Sequence, residues 1–160
     1  LQIAYDFEKY YNFHKNVAMG LCFNAYYSSR NFSNNYSATM MQAGEFSPTL
    51  HSKINYNEAF RANQFVGIGI IPIYKLNSML HARLGLYGFL PVFPILCNEN
   101  HKAYYGKAFS KVEYMGDLSL VLRFPFCSVS AYLDYYSSPK KNWNVGISLG
   151  WQIFGERFMR

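Results

Sequence analysis

The sequence predicts an all-β fold, a transmembrane antiparallel β-barrel with about eight strands in this chain, and three observations carry the expectation. Apolar and polar residues alternate strictly over long segments, the period of a strand with one apolar and one polar face. The alternating segments reach about ten residues, the length of a tilted strand that crosses a bilayer, where strands of soluble sheets average about five or six. Hydrophobic residues make up 51% of the chain although its mean hydropathy is slightly negative, so apolar side chains are interleaved with polar ones. No run approaches the ~18 uncharged apolar residues of a membrane-spanning helix. The richest stretch, Phe65 to Ile73, is short and is broken by Gly67, Gly69 and Pro72.

The expected elements follow in order. Residues 1–12 place Asp6 and Glu8 on one face and end at Tyr10-Tyr11. In 16–29, Val17, Met19, Leu21, Phe23, Ala25 and Tyr27 alternate with Ala18, Gly20, Cys22, Asn24, Tyr26 and Ser28. The polar break at 30–37 leads to a third strand expected over 38–46, and the apolar run at 65–75 supplies the fourth. Residues 79–90 set Leu80, Ala82, Leu84 and Leu86 against His81, Arg83, Gly85 and Tyr87. Residues 107–124 set Tyr114, Leu118, Leu120 and Leu122 against Lys111, Glu113, Asp117, Ser119 and Arg123. In 127–138, Val129, Ala131, Leu133 and Tyr135 alternate with Ser128, Ser130, Tyr132 and Asp134. The last strand, 142–155, sets Trp143, Val145, Ile147, Leu149 and Trp151 against Asn144, Gly146, Ser148 and Gly150.

Residues 75–78 and 124–127 read as tight periplasmic turns, and 46–64 and 91–106 as long outer loops. Aromatic residues gather at strand ends, at Tyr26-Tyr27, Tyr104-Tyr105, Tyr135-Tyr136 and Trp143, where the two interfacial girdles of a barrel lie. A soluble sheet that exposes one polar face is the competing reading.

The net charge of +6 comes from scattered Lys and Arg whose only doublet is Lys140-Lys141, so no basic stripe argues for nucleic acid. Cys22, Cys97 and Cys127 lack metal-ligand spacing and leave one thiol over in any disulfide scheme. His14, His51, His81 and His101 fall on separate segments, with His81 on the polar face beside Arg83. Gly146-Ile-Ser148-Leu-Gly150 has the spacing of a hydrolase nucleophile elbow but lies within an alternating strand, without the strained turn an elbow needs. No catalytic residue, cofactor or metal ligand is therefore expected. Arg83, Glu113, Arg123 and Asp134 share the polar face and are expected to form an ion-pair network in the lumen or to line an aqueous path. A secretory leader is needed for export and the chain begins at Leu1, so it reads as mature, trimmed or cut from a longer chain.

Two segments carry a family resemblance. The stretch Phe46-Ser-Pro-Thr-Leu-His-Ser-Lys-Ile-Asn-Tyr-Asn-Glu-Ala-Phe-Arg-Ala-Asn-Gln-Phe65, with Gly67-Ile-Gly69 and Ile73-Tyr-Lys-Leu-Asn77 after it, resembles the barrel region of bacterial patatin-like phospholipases. So does the ending Asp134-Tyr-Tyr-Ser-Ser-Pro-Lys-Lys-Asn-Trp-Asn-Val-Gly-Ile-Ser-Leu-Gly-Trp-Gln-Ile-Phe154. The resemblance covers residues 40–160 and implies the second half of a sixteen-stranded barrel, of the superfamily that includes the outer-membrane assembly and two-partner-secretion translocators. In that superfamily a long outer loop folds inward carrying Arg-Gly-Phe/Tyr. Phe60-Arg61-Ala62 stands there in this chain, with Ala62 in place of Gly, and the resemblance implies Arg61 with Phe60 as the loop's anchor in the lumen. Glu45, Glu113 and Asp134 are the candidate carboxylates for Arg61. Trp151, Phe154 and Phe158 resemble the aromatic-ended last strand that barrel-insertion machinery reads.

The function so implied is a segment of the bacterial outer membrane that anchors or translocates an associated patatin-like domain, or scaffolds an outer-membrane complex, with no chemistry of its own. Its expected partners are outer-membrane lipid, the remainder of the barrel or other outer-membrane subunits, and the insertion machinery, with no nucleic acid. The alternative is a self-contained eight-stranded barrel that binds lipid or forms a narrow pore.

Overall fold

The computed structural model describes residues 1–29, 35–49, 51–54, 56–137 and 142–151. The elements are β1 (Gln2–His14), β2 (Val17–Ser28), α1 (Tyr36–Gln42), β3 (Gly44–Glu45), β4 (Arg61–Ala62), β5 (Gln64–Lys75), β6 (Leu80–Pro91), β7 (Ile95–Cys97), β8 (Ala103–Tyr105), β9 (Glu113–Arg123), β10 (Cys127–Tyr136) and β11 (Trp143–Trp151). Short 3-10 turns cover Ser52–Ile54 and Glu58–Phe60.

Seven strands form one antiparallel sheet in the order β1-β2-β5-β6-β9-β10-β11, so every neighbour in the sheet is also the next long strand in sequence. The two remaining pairs, β3-β4 and β7-β8, are small ribbons within the long connections. The chain is thus mostly β, as the alternation requires. The sheet is open, with β1 and β11 as its edges.

Two expected strands differ. Residues 38–46 fold mostly as α1, followed by the two-residue β3. Tyr36, Met40 and Ala43 recur at helical spacing and pack together against Ile95 and Ala103 of the β7–β8 ribbon. Asn35 starts the helix, its side chain accepting from the Ala38 N–H at 3.2 Å. Helix-favouring Ala38, Met40, Met41 and Gln42 outweigh any strand preference over so short a stretch. The sixth expected strand also begins late, at Glu113, because residues 107–112 belong to the connection that carries β7 and β8. The expected reach of the last strand beyond Trp151 lies outside the described residues.

All the short turns (His14 to Val17, Lys75 to Leu80, Arg123 to Cys127) fall at one end of the sheet, and the long connections at the other. The β2-to-β5 connection does not stay at that end. It turns back over the charge-bearing face of the sheet and seats Phe46 and Phe60 against Phe65, Tyr87, Phe89, Met115 and Tyr136. Ring centroids of Phe46 and Phe60 both lie 5.6 Å from that of Phe89, and Phe60 meets Tyr136 edge-on at 5.7 Å. Gly67 makes the seat possible, since a Cβ there would overlap the Phe46 ring.

Among the described residues the opposite face has no such cover. Leu84 is 41% exposed, Leu120 49%, Ile147 74% and Trp151 75%. Leu21, Phe23, Ile68, Ile70, Leu86, Leu118, Leu133 and Leu149 are exposed beside them. From β2 to β11 this outward row contains no charged side chain.

Gly67→Val should unseat Phe46 and destabilise the chain by about 1–3 kcal/mol, the usual cost of overpacking. Thermal unfolding of this variant, of Phe46→Ala and of the double variant checks the contact. The double variant should be less destabilised than the sum of the two, and strict additivity would show that the side chains do not share the space.

Candidate functional site

The alternation sends Asp117 of β9 and Asp134 of β10 to the inner face, and the register sets them directly opposite each other. Asp117 is 1% exposed and Asp134 is 0% exposed. Two carboxylates paired across strands repel one another, and burial strengthens the repulsion. The arrangement therefore calls for a cation between them, and the inward connection supplies one. His51 places Nε2 at 2.5 Å from Asp117 Oδ2 and 3.3 Å from Asp134 Oδ1.

Local bonds hold His51 in place. The N–H of Ser52 donates to Thr49 Oγ1 and that of Thr49 donates to Ser52 Oγ, both at 3.1 Å, while the Ser52 hydroxyl also donates to the Thr49 carbonyl. This reciprocal side-chain closure fixes a tight turn around the histidine. The imidazole then stacks on Tyr132 with centroids 3.9 Å apart and planes 6° from parallel. Tyr132 in turn lies over Gly146, where a Cβ would collide with its phenol.

Burial of the imidazole favours its neutral form, but the contacts with Asp117 and Asp134 outweigh it, and the His51 pKa is pushed up to about 9. In the absence of a metal ion the ring is thereby drawn toward its protonated form, facing the two carboxylates. Among the described residues no hydroxyl or thiol is bonded to this imidazole, and the arrangement has the parts of an ion clamp.

Arg61 is engaged within the connection and not on the sheet. One of its terminal nitrogens, Nη1, donates to the carbonyls of Met40, Met41 and Ala43 at 3.0, 3.3 and 3.3 Å, and Nη2 pairs with Glu45. Its guanidinium also lies 4.8 Å from the Tyr56 ring centroid. It therefore satisfies the C-terminal carbonyls of α1 and ties α1 to the β3–β4 ribbon. Phe60, its neighbour, is the residue that reaches the sheet.

Of the four inner-face charges expected to form an ion-pair network or to line an aqueous path, three have partners outside that set among the described residues. Arg83 donates to the Tyr87 hydroxyl at 3.1 Å. Glu113 pairs with Lys111 at 2.7 Å and accepts from the Ser137 hydroxyl. Asp134 faces His51, and Arg123 lies exposed at the turn end of β9. Ser148 sits opposite Ser130 in an uninterrupted stretch of β11. Trp151 is exposed and packs on Phe126, with centroids 6.0 Å apart, while Phe154 and Phe158 lie outside the described residues.

The missing pieces in the sequence reading were His51 and Asp117. Alternation marks Asp117 and Asp134 as inward, and the tight turn before Cys127 sets their register. Nothing local links either to a histidine 66 positions from Asp117. Comparison with family models, with curated proteins and with solved structures returns no match for this chain.

The clamp makes the seating of the connection depend on pH. The folded-state pKa of His51 is raised from 6.5 to about 9, so its contribution is fully present below about pH 6.5 and is lost as pH rises through about 9. Limited proteolysis of residues 43–63 in chelator-containing buffer should accelerate between about pH 8 and 10. His51→Gln should be cut faster at pH 7 and lose that pH dependence, having left two buried carboxylates unpaired at a cost on the order of 3 kcal/mol. Identical pH profiles for the two proteins would remove His51 from the account.

Proposed function

We propose that this chain is part of the wall of a bacterial outer-membrane β-barrel, with lipid against the outward face and the lumen on the inward one. The observation that carries the reading is the uncharged outward row, which is exposed while the only sizeable packed core among the described residues lies on the charge-bearing face. In water that distribution is inside out, and in a bilayer it is the arrangement that solvates both faces. The strand lengths agree, since β1, β2, β5, β6, β9 and β10 each have between 10 and 13 residues. No helix among the described residues is long and apolar enough to cross a membrane, which leaves strands as the spanning element of this reading.

Strand parity favours a portion of a larger barrel over a self-contained one. Seven antiparallel strands leave β1 and β11 pointing the same way, so closing the sheet on itself would need a parallel seam. Further strands joined to both edges give an all-antiparallel barrel. The resemblance to the barrel region of patatin-like phospholipases extends the reading to a segment that anchors or translocates a patatin-like domain, or that scaffolds an outer-membrane complex. A nucleophile elbow encoded upstream of this chain distinguishes the first role from the second.

Trp143 and Trp151 are the only two tryptophans and both lie on the outward face of β11, which makes them reporters of the medium there. In vesicles of lipids brominated along their acyl chains, their fluorescence should be strongly quenched, and the folded chain should show heat-modifiable migration in detergent. A chain that is folded and monodisperse without detergent, with unquenched tryptophans, would exclude the membrane reading.

A further inference from the structure

Each buried carboxylate of the clamp is held by one oxygen and presents the other. Asp117 Oδ1 accepts from the Ser119 hydroxyl at 3.2 Å. Asp134 Oδ2 accepts from the Asn144 amide at 3.2 Å and from the Tyr136 hydroxyl at 3.4 Å. The presented oxygens, Asp117 Oδ2 and Asp134 Oδ1, both face one nitrogen, His51 Nε2. That nitrogen carries at most one proton. Directed at Asp117, the proton leaves Asp134 Oδ1 without a hydrogen bond in a side chain that is 0% exposed. A buried carboxylate oxygen with no partner is a costly exception in a folded protein. Arg83 does not fill the gap, because its guanidinium donates to Tyr87 and its Nε is itself without a partner.

We propose that His51, Asp117 and Asp134 bind one divalent transition-metal ion of the zinc class, which fastens the inward connection to β9 and β10. The three donor atoms lie within 4.8 Å of one another. Zinc holds imidazole nitrogen and carboxylate oxygen at about 2.0–2.2 Å, so small side-chain adjustments close the set around one ion. Two carboxylates and a neutral imidazole balance the dication, whereas a proton on the imidazole leaves the trio with net negative charge. The imidazole selects zinc and its neighbours over magnesium or calcium, which prefer oxygen donors. Ser119, Tyr136 and Asn144 fix the carboxylates from behind and Tyr132 fixes the imidazole plane, the support that orients metal ligands in built sites. Three protein ligands leave a fourth position for water. The site needs only the contact between residue 51 and the sheet, so it stands apart from the membrane reading.

The test uses the chain refolded in detergent on a background with Cys22, Cys97 and Cys127 changed to Ser, stripped with chelator and titrated with zinc alone by calorimetry. One zinc per chain is expected, unaffected by excess calcium. Asp134→Asn and His51→Gln should each weaken binding tenfold or more. Both variants keep the side chain's approximate size, and Asp134→Asn removes a buried charge, so a circular dichroism spectrum like the parent's identifies folded material. Cobalt in place of zinc adds a direct reading, because its visible bands should weaken when His51→Gln removes the nitrogen ligand. No zinc bound by the parent chain, or equal affinity in parent and both folded variants, overturns the site. Zinc binding by a chain whose tryptophans stay unquenched in brominated vesicles would retain the site and reject the membrane wall.

Discussion

A sheet with two unlike faces must find a different medium for each, and in this chain the packed core lies on the face that carries the charges. Asp117, Asp134, Glu113 and Arg83 share that face with Phe65, Tyr87 and Phe89, under the cover of Phe46 and Phe60. The opposite face, uncharged from β2 to β11 and without cover among the described residues, holds Leu84, Leu86, Leu118, Leu120, Ile147 and Leu149. Leaving those six side chains in water forgoes on the order of 10 kcal/mol of transfer free energy, as large as the whole stability of an ordinary domain. A bilayer removes that penalty without any further polypeptide. In the proposed membrane setting the strand lengths are accounted for too, since hydrocarbon has to be crossed from one interface to the other.

The covered face solves a different problem. A polar surface inside a barrel is stable only if its charges are wet or paired, and an inserted connection displaces water from it. The insertion must then replace that water's hydrogen bonds with its own groups. Phe46 and Phe60 do this where the wall is apolar, fitting over Gly67 and against Phe89. His51 does it where the wall is ionic, between Asp117 and Asp134. The two contacts are unlike in kind. Ring packing tolerates small shifts, whereas an imidazole facing two carboxylates fixes position closely, so the histidine sets the register of the insertion on the wall.

Much of the sheet was legible because period-two alternation survives wherever the two faces meet different media. β2, β6, β9, β10 and β11 can all be read this way from side-chain type alone. α1 was missed because its apolar set, Tyr36, Met40 and Ala43, is short and rests on a ribbon formed far along the chain. Arg61 drew attention through a motif-like string, yet its guanidinium is occupied by α1 carbonyls that no reading without the helix could supply. The inward placement of Asp117 and Asp134 follows from alternation and the tight turn between their strands. Their histidine does not, because a contact across so long a separation depends on the path of a connection with no regular period.

The inner face is covered unevenly, and the uncovered part bears on what completes the sheet. Over β1 and β2 a groove remains, lined by Asp6, Glu8, Cys22 and Asn24 from the strands and by Glu45, Phe46 and Lys53 from the connection. Its acids are already partnered: Asn24 donates to Asp6 at 2.6 Å and the Tyr10 hydroxyl donates to Glu8. These neutral donors leave the carboxylate charge in place, but carboxylates beside an open groove are readily solvated by water, so strands added at the edge of β1 need no buried cation here. Among the described residues the same edge leaves the outward-facing alternate N–H and C=O groups of a 13-residue strand without a sheet partner, an arrangement that hydrocarbon, on the proposed membrane reading, does not tolerate. The demand for a neighbour at β1 thus comes from the backbone and the medium outside. On the same reading the inward face permits a water-filled lumen beside the seated connection.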